Sequence, residues 1–264
     1  MAQTFVITGS TRGIGKGMAL AALERGHNVV INGRGEDSVA AAVAELVERC
    51  GPDHVAGQAA DISEHAAVER LWRCAVERFG RVDYWINNAA VSYPAETIWA
   101  QAPAQLSATI DINLRGLLFG STVAVRKMLD QGGGRIYNME GMGSDGTQVP
   151  RTAVYGTTKY GIRYLTSALI RETADTPVRV GTLRPGMVTT EMLALSLEAA
   201  PPDRVERTKR IFNVLADRVD TVAPWLIDQI LQDDGHGSVI NWMPTHKVLW
   251  RFLSSPFVKR NLID

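Results

Sequence analysis

Short apolar runs alternate with stretches in which apolar residues recur every three or four positions, and the alternation continues through most of the chain. Phe5, Val6 and Ile7 predict a first strand, and Ile14, Met18, Leu20 and Leu23 predict a helix that opens near Gly13. Val29 to Ile31 read as a second strand, followed by helical spacing at Val39, Val43, Leu46 and Val47. A third strand starts at Val55 and Ala56 and ends near Asp61; Ser63 is placed to cap a helix that buries Val68, Leu71, Trp72 and Ala75. Tyr84 to Ile86 make a fourth strand. Pro103 then leads into a long helix with Leu106, Ile110, Leu114 and Leu117 on one side, ended by Gly132 to Gly134. Ile136 and Tyr137 form a fifth strand, a helix buries Ile162, Leu165, Thr166 and Leu169, and Val178 to Leu183 form a sixth strand.

Strands apolar on both faces and separated by helices predict an α/β fold, a doubly wound parallel sheet covered on both sides. No repeat or linker divides residues 1–264, so one domain is expected. After Pro185 the pattern loosens. Residues 191–219 predict one or two helices of a substrate loop, with a break at Pro201-Pro202, and residues 222–232 a further helix. Ser238 to Asn241 predict a last strand, and 242–264 a tail.

Composition narrows the function. Of 264 residues, 28 are Lys or Arg and 28 Asp or Glu, so no global field favours nucleic acid. The opening residues pass directly into a strand without a charged leader and apolar region, and no apolar run reaches the ~18 residues of a membrane span. Cys50 and Cys74 lack metal or redox spacing, and both are expected to pack in the interior. A cytoplasmic protein without a metal is the expectation.

The first strand ends in Thr8-Gly9-Ser10-Thr11-Arg12-Gly13-Ile14-Gly15. Glycines between a strand and a helix let the backbone approach a pyrophosphate at the helix N-terminus, the dinucleotide site of a Rossmann fold. The second strand ends in Arg34, where a carboxylate would suit the ribose hydroxyl of NAD; an arginine, with Arg12 beside it, suits the 2′-phosphate of NADP(H). Asp61 and Ile62 are expected to flank the adenine. Tyr155 and Lys159, four apart, share one helix face, where the ammonium is expected to lower the phenol's pKa and make it a general acid or base.

In order and spacing, the Thr8–Gly15 loop, Asp61, Asn87-Asn88-Ala89, Asn113, Tyr155-Gly-Thr-Thr-Lys159 and Pro185-Gly186 followed by Thr190 resemble the short-chain dehydrogenase/reductase family over residues 3 to 241. The resemblance implies that Tyr155 exchanges a proton with the substrate oxygen, Lys159 holds the nicotinamide ribose, and Asn113 fixes a water that links Lys159 to solvent. It also implies that Asn88, Ala89, Pro185, Gly186, Val188 and Thr190 border NADPH, with Thr190 on the carboxamide, and that the protein is a homodimer or homotetramer. The family's serine, about thirteen residues before the tyrosine, is missing: Met139, Glu140, Gly141 and Met142 follow Asn138. Ser144 is the candidate for its role; Glu140 is expected at the surface, with a substrate contact as the alternative.

The Asn138–Gly146 and Pro150–Lys159 segments, with Pro185–Glu191, are similar to the chlorophyll b reductases of that family, which reduce the C7 formyl group to hydroxymethyl with NADPH. A bulky apolar substrate is therefore expected, enclosed by Tyr93, Met142, Met187, Met192, Leu193, Leu195 and Leu197. The tail mixes Trp242, Trp250, Phe252, Leu253 and Phe257 with Lys247, Arg251, Lys259 and Arg260, a composition suited to subunit or pocket packing and alternatively to a membrane surface. Two other functions compete: a reductase or dehydrogenase of another apolar carbonyl or alcohol (3-oxoacyl, steroid, terpenoid), and a non-catalytic nucleotide-binding or redox-sensing protein.

Overall fold

The computed structural model describes residues 1–191, 205–255, 257–258 and 260–262. Along them run β1 (Thr4–Ile7), α1 (Gly13–Glu24), β2 (Asn28–Gly33), α2 (Glu36–Cys50), β3 (Val55–Ala59), α3 (His65–Phe79) and β4 (Tyr84–Asn87). There follow α4 (Pro103–Ile110), a π-helical turn (Asp111–Arg115), α5 (Gly116–Asp130), β5 (Gly134–Met139), α6 (Ala153–Glu172) and β6 (Val178–Arg184). The last elements are α7 (Val205–Leu215), α8 (Val219–Gln232), β7 (Val239–Asn241) and α9 (Thr245–Ser254).

The strands form one parallel sheet in the order β3-β2-β1-β4-β5-β6-β7, as the double winding predicts. Successive side chains of a strand point to opposite faces. Phe5 and Ile7 accordingly join a core with Met18 of α1, Leu46 of α2 and Leu226 of α8, while Val6 joins another with Leu71 and Trp72 of α3 and Met128 of α5. Trp85 is wholly buried against Trp72, with ring centroids 5.9 Å apart, and its indole N–H donates to Asn87 at 2.8 Å. Cys50 and Cys74 are free thiols, half-buried against these cores, as expected.

Two local readings are corrected. Ser63 does not cap α3, which starts after Glu64; its N–H and hydroxyl both donate to Asp61, a turn that competes with the cap. The long helix forms, but the apolar stripe does not hold. Leu117 is buried whereas Ile110 is exposed, and the buried face runs through Thr109, Ile112, Asn113 and Gly116. The π-turn inserts an extra residue into the helix and rotates everything beyond it, which a period of 3.6 does not foresee. The predicted substrate-loop helices are represented by α7; Met192, Leu193, Leu195, Leu197, Pro201 and Pro202 lie outside the described residues, as does Lys259 of the tail.

Candidate active site

The sheet order reverses direction between β1 and β4, and the loops beyond their carboxyl ends open the crevice where doubly wound folds bind ligands. Gly9 and Gly13 lie there with φ of 63° and 58°, in the left-handed region that a Cβ disfavours. A Cβ on Gly9 would also come within 2.8 Å of Ala89, so the loop presses on the end of β4. Arg12 stands at the N-cap of α1 and makes no side-chain capping bond, which leaves the first-turn amides facing the crevice for an anion. These features fit a dinucleotide pyrophosphate. Ile14, in the first turn of α1, is half-buried, and Gly15 is closed in by Asn88.

Other residues expected at the cofactor divide into scaffold and rim. The Ser10 hydroxyl is fully buried between the carbonyl of Ile7 and the amide of Asn32, fastening the loop to β2. Asn88 donates its amide to the carbonyls of Thr8 and Gly9, and Ala89 donates its N–H to the Thr8 hydroxyl. Ile62 is buried against Gly116, and Asp61 is half-buried. Arg34 is exposed just beyond β2. Arg12 is exposed and paired with Glu191, a contact that bridges the glycine loop and the segment after β6. That segment faces the loop: Thr190 Cγ2 would stand 3.6 Å from a Cβ on Gly13. Pro185 is buried and Gly186 exposed, while the Val188 side chain belongs to the core.

Tyr155 and Lys159 lie on the first turns of α6, as their spacing predicts, with the Lys159 Nζ 5.6 Å from the phenol ring centroid. The expected lowering of the phenol pKa is not what the structure has. Burial pushes Tyr155 up to about 12, because a phenolate there would lose its hydration. Lys159 is 3% exposed, and burial lowers it to about 8, with Glu140 acting in the opposite sense; its ammonium donates to the Met139 carbonyl at 3.2 Å. At neutral pH the pair is therefore a phenol and an ammonium, suited to giving a proton. Asn113 lies in the π-turn, buried, with its amide bonded to both backbone groups of Val91 and to the Thr158 hydroxyl.

The missing serine has a structural counterpart. Gly141 faces the phenol, where a Cβ would stand 2.8 Å from the Tyr155 hydroxyl and 3.1 Å from Lys159 Cε. Ser144 is buried, but its hydroxyl turns back to Gly141, accepting from the N–H at 3.1 Å and donating to the carbonyl. Glu140 is 4% exposed and ion-paired with Arg184 at 2.7 Å, so the surface reading is overturned. Its partner stands 44 residues away on the neighbouring strand, beyond any local pattern.

A small cavity opens beside the phenol, lined by Ser92, Tyr93, Gln101, Thr109, Thr152 and Tyr155. Tyr93 borders this cavity, whose lining is mostly polar, while Met142 is 45% exposed and Met187 half-buried. Arg151, on the same wall, has a φ of 68°, a strained conformation for a side chain of its size and one that sequence patterns do not register. Among the described residues, no group of acids, histidines and cysteines could hold a metal ion, and no helix is long and apolar enough to cross a membrane.

The profile described as short chain dehydrogenase matches residues 3–200. Chlorophyll(ide) b reductase NOL, chloroplastic, of Oryza sativa subsp. japonica is 36% identical over 230 residues, covering 85% of this chain and 65% of that protein. Probable chlorophyll(ide) b reductase NYC1, chloroplastic, of Arabidopsis thaliana is 31% identical over 269 residues, covering 96% of this chain and 53% of that protein. The chain spans only about half to two thirds of the length of these relatives. A 3alpha-hydroxysteroid dehydrogenase of Mediterraneibacter gnavus is 29% identical over 238 residues, 94% of its own length. Levodione reductase shares the fold, with a TM-score of 0.81 at 24% identity over 91% of this chain and 95% of that one. The chain belongs to the short-chain dehydrogenase family.

Proposed function

We infer that the protein is an NADPH-dependent carbonyl reductase whose substrate is a bulky apolar aldehyde, the C7 formyl group of chlorophyll b being the sharpest candidate. The observation that carries this reading is a half-buried phenol that its surroundings keep protonated, with the Lys159 ammonium over its ring, at a crevice that also presents the glycine loop. When bound, NADPH supplies the hydride. Tyr155 gives its proton to the oxygen on which negative charge develops, and the Lys159 ammonium stabilises the phenolate left behind. Lys159 and Asn113 together position the helix face on which this happens. The exposed Arg34 and Arg12 favour the 2′-phosphate, although Arg12 would have to share its charge with Glu191. The resemblance to plant chlorophyll(ide) b reductases supports the pigment.

A second reading, a dehydrogenase or reductase of steroid-like or 3-oxoacyl carbonyls, is favoured by one observation: relatives of those names are matched over nearly their whole length. Assembly as a homodimer or homotetramer is supported by exposed Ile110, Leu118, Tyr160 and Tyr164 on α4, α5 and α6. A cytoplasmic or other reducing compartment is supported by the two free cysteines.

Anaerobic incubation with NADPH and chlorophyll b tests the reading, with the absorption bands followed and the product weighed by mass spectrometry. A gain of two hydrogens with loss of the formyl spectrum is expected, faster with NADPH than with NADH. Tyr155→Phe is expected to abolish turnover and leave NADPH binding nearly intact; unchanged turnover would sink the mechanism. An unchanged pigment with NADPH bound would return the substrate to the other apolar carbonyls.

A further inference from the structure

The buried carboxylate of Glu140 has no part in the proton transfer derived above. It leaves β5 immediately after Met139, whose carbonyl binds the Lys159 ammonium, and immediately before Gly141, whose backbone lies against the Lys159 side chain and the Tyr155 hydroxyl. Lys159 therefore runs along three consecutive residues of which Glu140 is the middle one. The Glu140 N–H donates to the Leu183 carbonyl, and its carboxylate accepts from β6, where the Arg184 Nε donates to Oε2 at 2.7 Å. A carboxylate with 4% exposure is costly to bury, and an ammonium with 3% exposure equally so. Around the ammonium, α6 itself contributes Tyr155, β5 and its extension contribute Glu140, and β6 contributes Arg184 behind it. On the π-turn, Asp111 and Arg115 pair with each other at 3.0 Å, and Asn113 is uncharged. Glu140 is the charged group that acts on Lys159 through space, and it favours the protonated form.

We propose that Glu140 is a positioning residue of the catalytic centre, a buried carboxylate clamped by Arg184 that supplies the counter-charge for the Lys159 ammonium. The clamp gives the carboxylate a fixed direction, so the balance is set by two strands of the sheet and not by a mobile side chain. It also ties the lysine to β6, which leads directly into Pro185 and the crevice segment ending at Thr190. The catalytic part of this proposal rests on the reading of Tyr155 and Lys159 given above, whereas the electrostatic part does not.

The test uses the full chain with lysines labelled with carbon-13 at Cε, Lys159 being assigned by the resonance lost in Lys159→Arg. In Glu140→Gln the Lys159 titration midpoint is expected to fall by about one unit or more, and Glu140→Asp, which keeps the charge, to restore most of it. Glu140→Gln combined with Arg184→Gln leaves no buried charge unpaired and guards against a single variant that does not fold. Its midpoint is expected between that of Glu140→Gln and the wild type, because the opposing charge of Arg184 is lost as well. A midpoint unmoved in the folded variants would overturn the proposal. Because this readout needs no turnover, a Tyr155→Phe result that defeats the reductase reading leaves it intact. With turnover, the alkaline limb of kcat/KM should move in Glu140→Gln by the same amount as the lysine; a limb that stays while the lysine moves would remove Glu140 from the catalytic centre.

Discussion

Tyr155 and Lys159 were legible at the scale of single residues because the helix places positions four apart on one face. What that spacing does not carry is the surrounding dielectric. Burial moves the phenol up and the ammonium down, so the phenol is a better-kept acid than an exposed pair would be. Ser144 illustrates the same limit. Its separation from Tyr155 made it the candidate for the family's serine, but its hydroxyl closes the 141–144 turn on Gly141. Ser144→Ala is accordingly expected to lower stability by about 1 kcal/mol through the lost bonds and to reduce kcat by less than about tenfold. Thermal unfolding and steady-state kinetics would check this, and a loss of ~100-fold or more would assign the hydroxyl a transition-state bond.

Among the elements, the tail was the hardest to read, since the same mixture of aromatic and basic residues suits a membrane, a pocket or a partner. The structure gives part of it a shared anchor beside backbone bonds to Val214 and Leu215. Asp217, buried between α7 and α8, accepts from the Trp242 indole at 2.6 Å, from Arg251 at 2.8 Å and from Arg260 at 2.6 Å. Its backbone meanwhile bonds to Met187 and Thr189, in the segment bordering the crevice. One carboxylate thus fastens α9 and the chain beyond it to the wall of the candidate site. Asp217→Asn, which leaves two arginines without their counter-charge, is expected to cost about 3 kcal/mol and to expose the tail to limited proteolysis. A tail as resistant as in the wild type would show that apolar packing holds it. Elsewhere on α9, Trp250 and Leu253 are exposed at 69% and 71%.

For the molecule as a whole, the titrating groups predict how stability depends on pH. Burial raises Tyr84, Tyr137 and Tyr155, with the Asp233 bond adding to the effect at Tyr137. A raised tyrosine keeps its proton in the fold after the unfolded chain has released it. Its contribution is therefore complete below pH 10 and, for Tyr155, is lost as pH rises to about 12. Lys159 works in the other direction: from about 8 to its ordinary 10.5 the unfolded chain holds the extra proton, so this group favours the fold increasingly across that interval. Urea unfolding at pH 9, 10 and 11 should show a decline that begins near 10 and tracks tyrosine ionisation. A decline complete below that range would place the cause elsewhere.

By itself the sequence determined the strand–helix alternation, the parallel doubly wound sheet, the glycine loop and the Tyr155–Lys159 pair, because each is a property of residues close together in the chain: period, turn chemistry and spacing. The tertiary structure decided what depends on contacts between distant segments. It rotated the helix beyond Ile110 through a π-turn, diverted Ser63 into a turn with Asp61, buried Glu140 against a strand 44 residues away, and gathered the tail on Asp217. Burial and charge balance arise only when such segments meet, and at this site they set which group holds the proton.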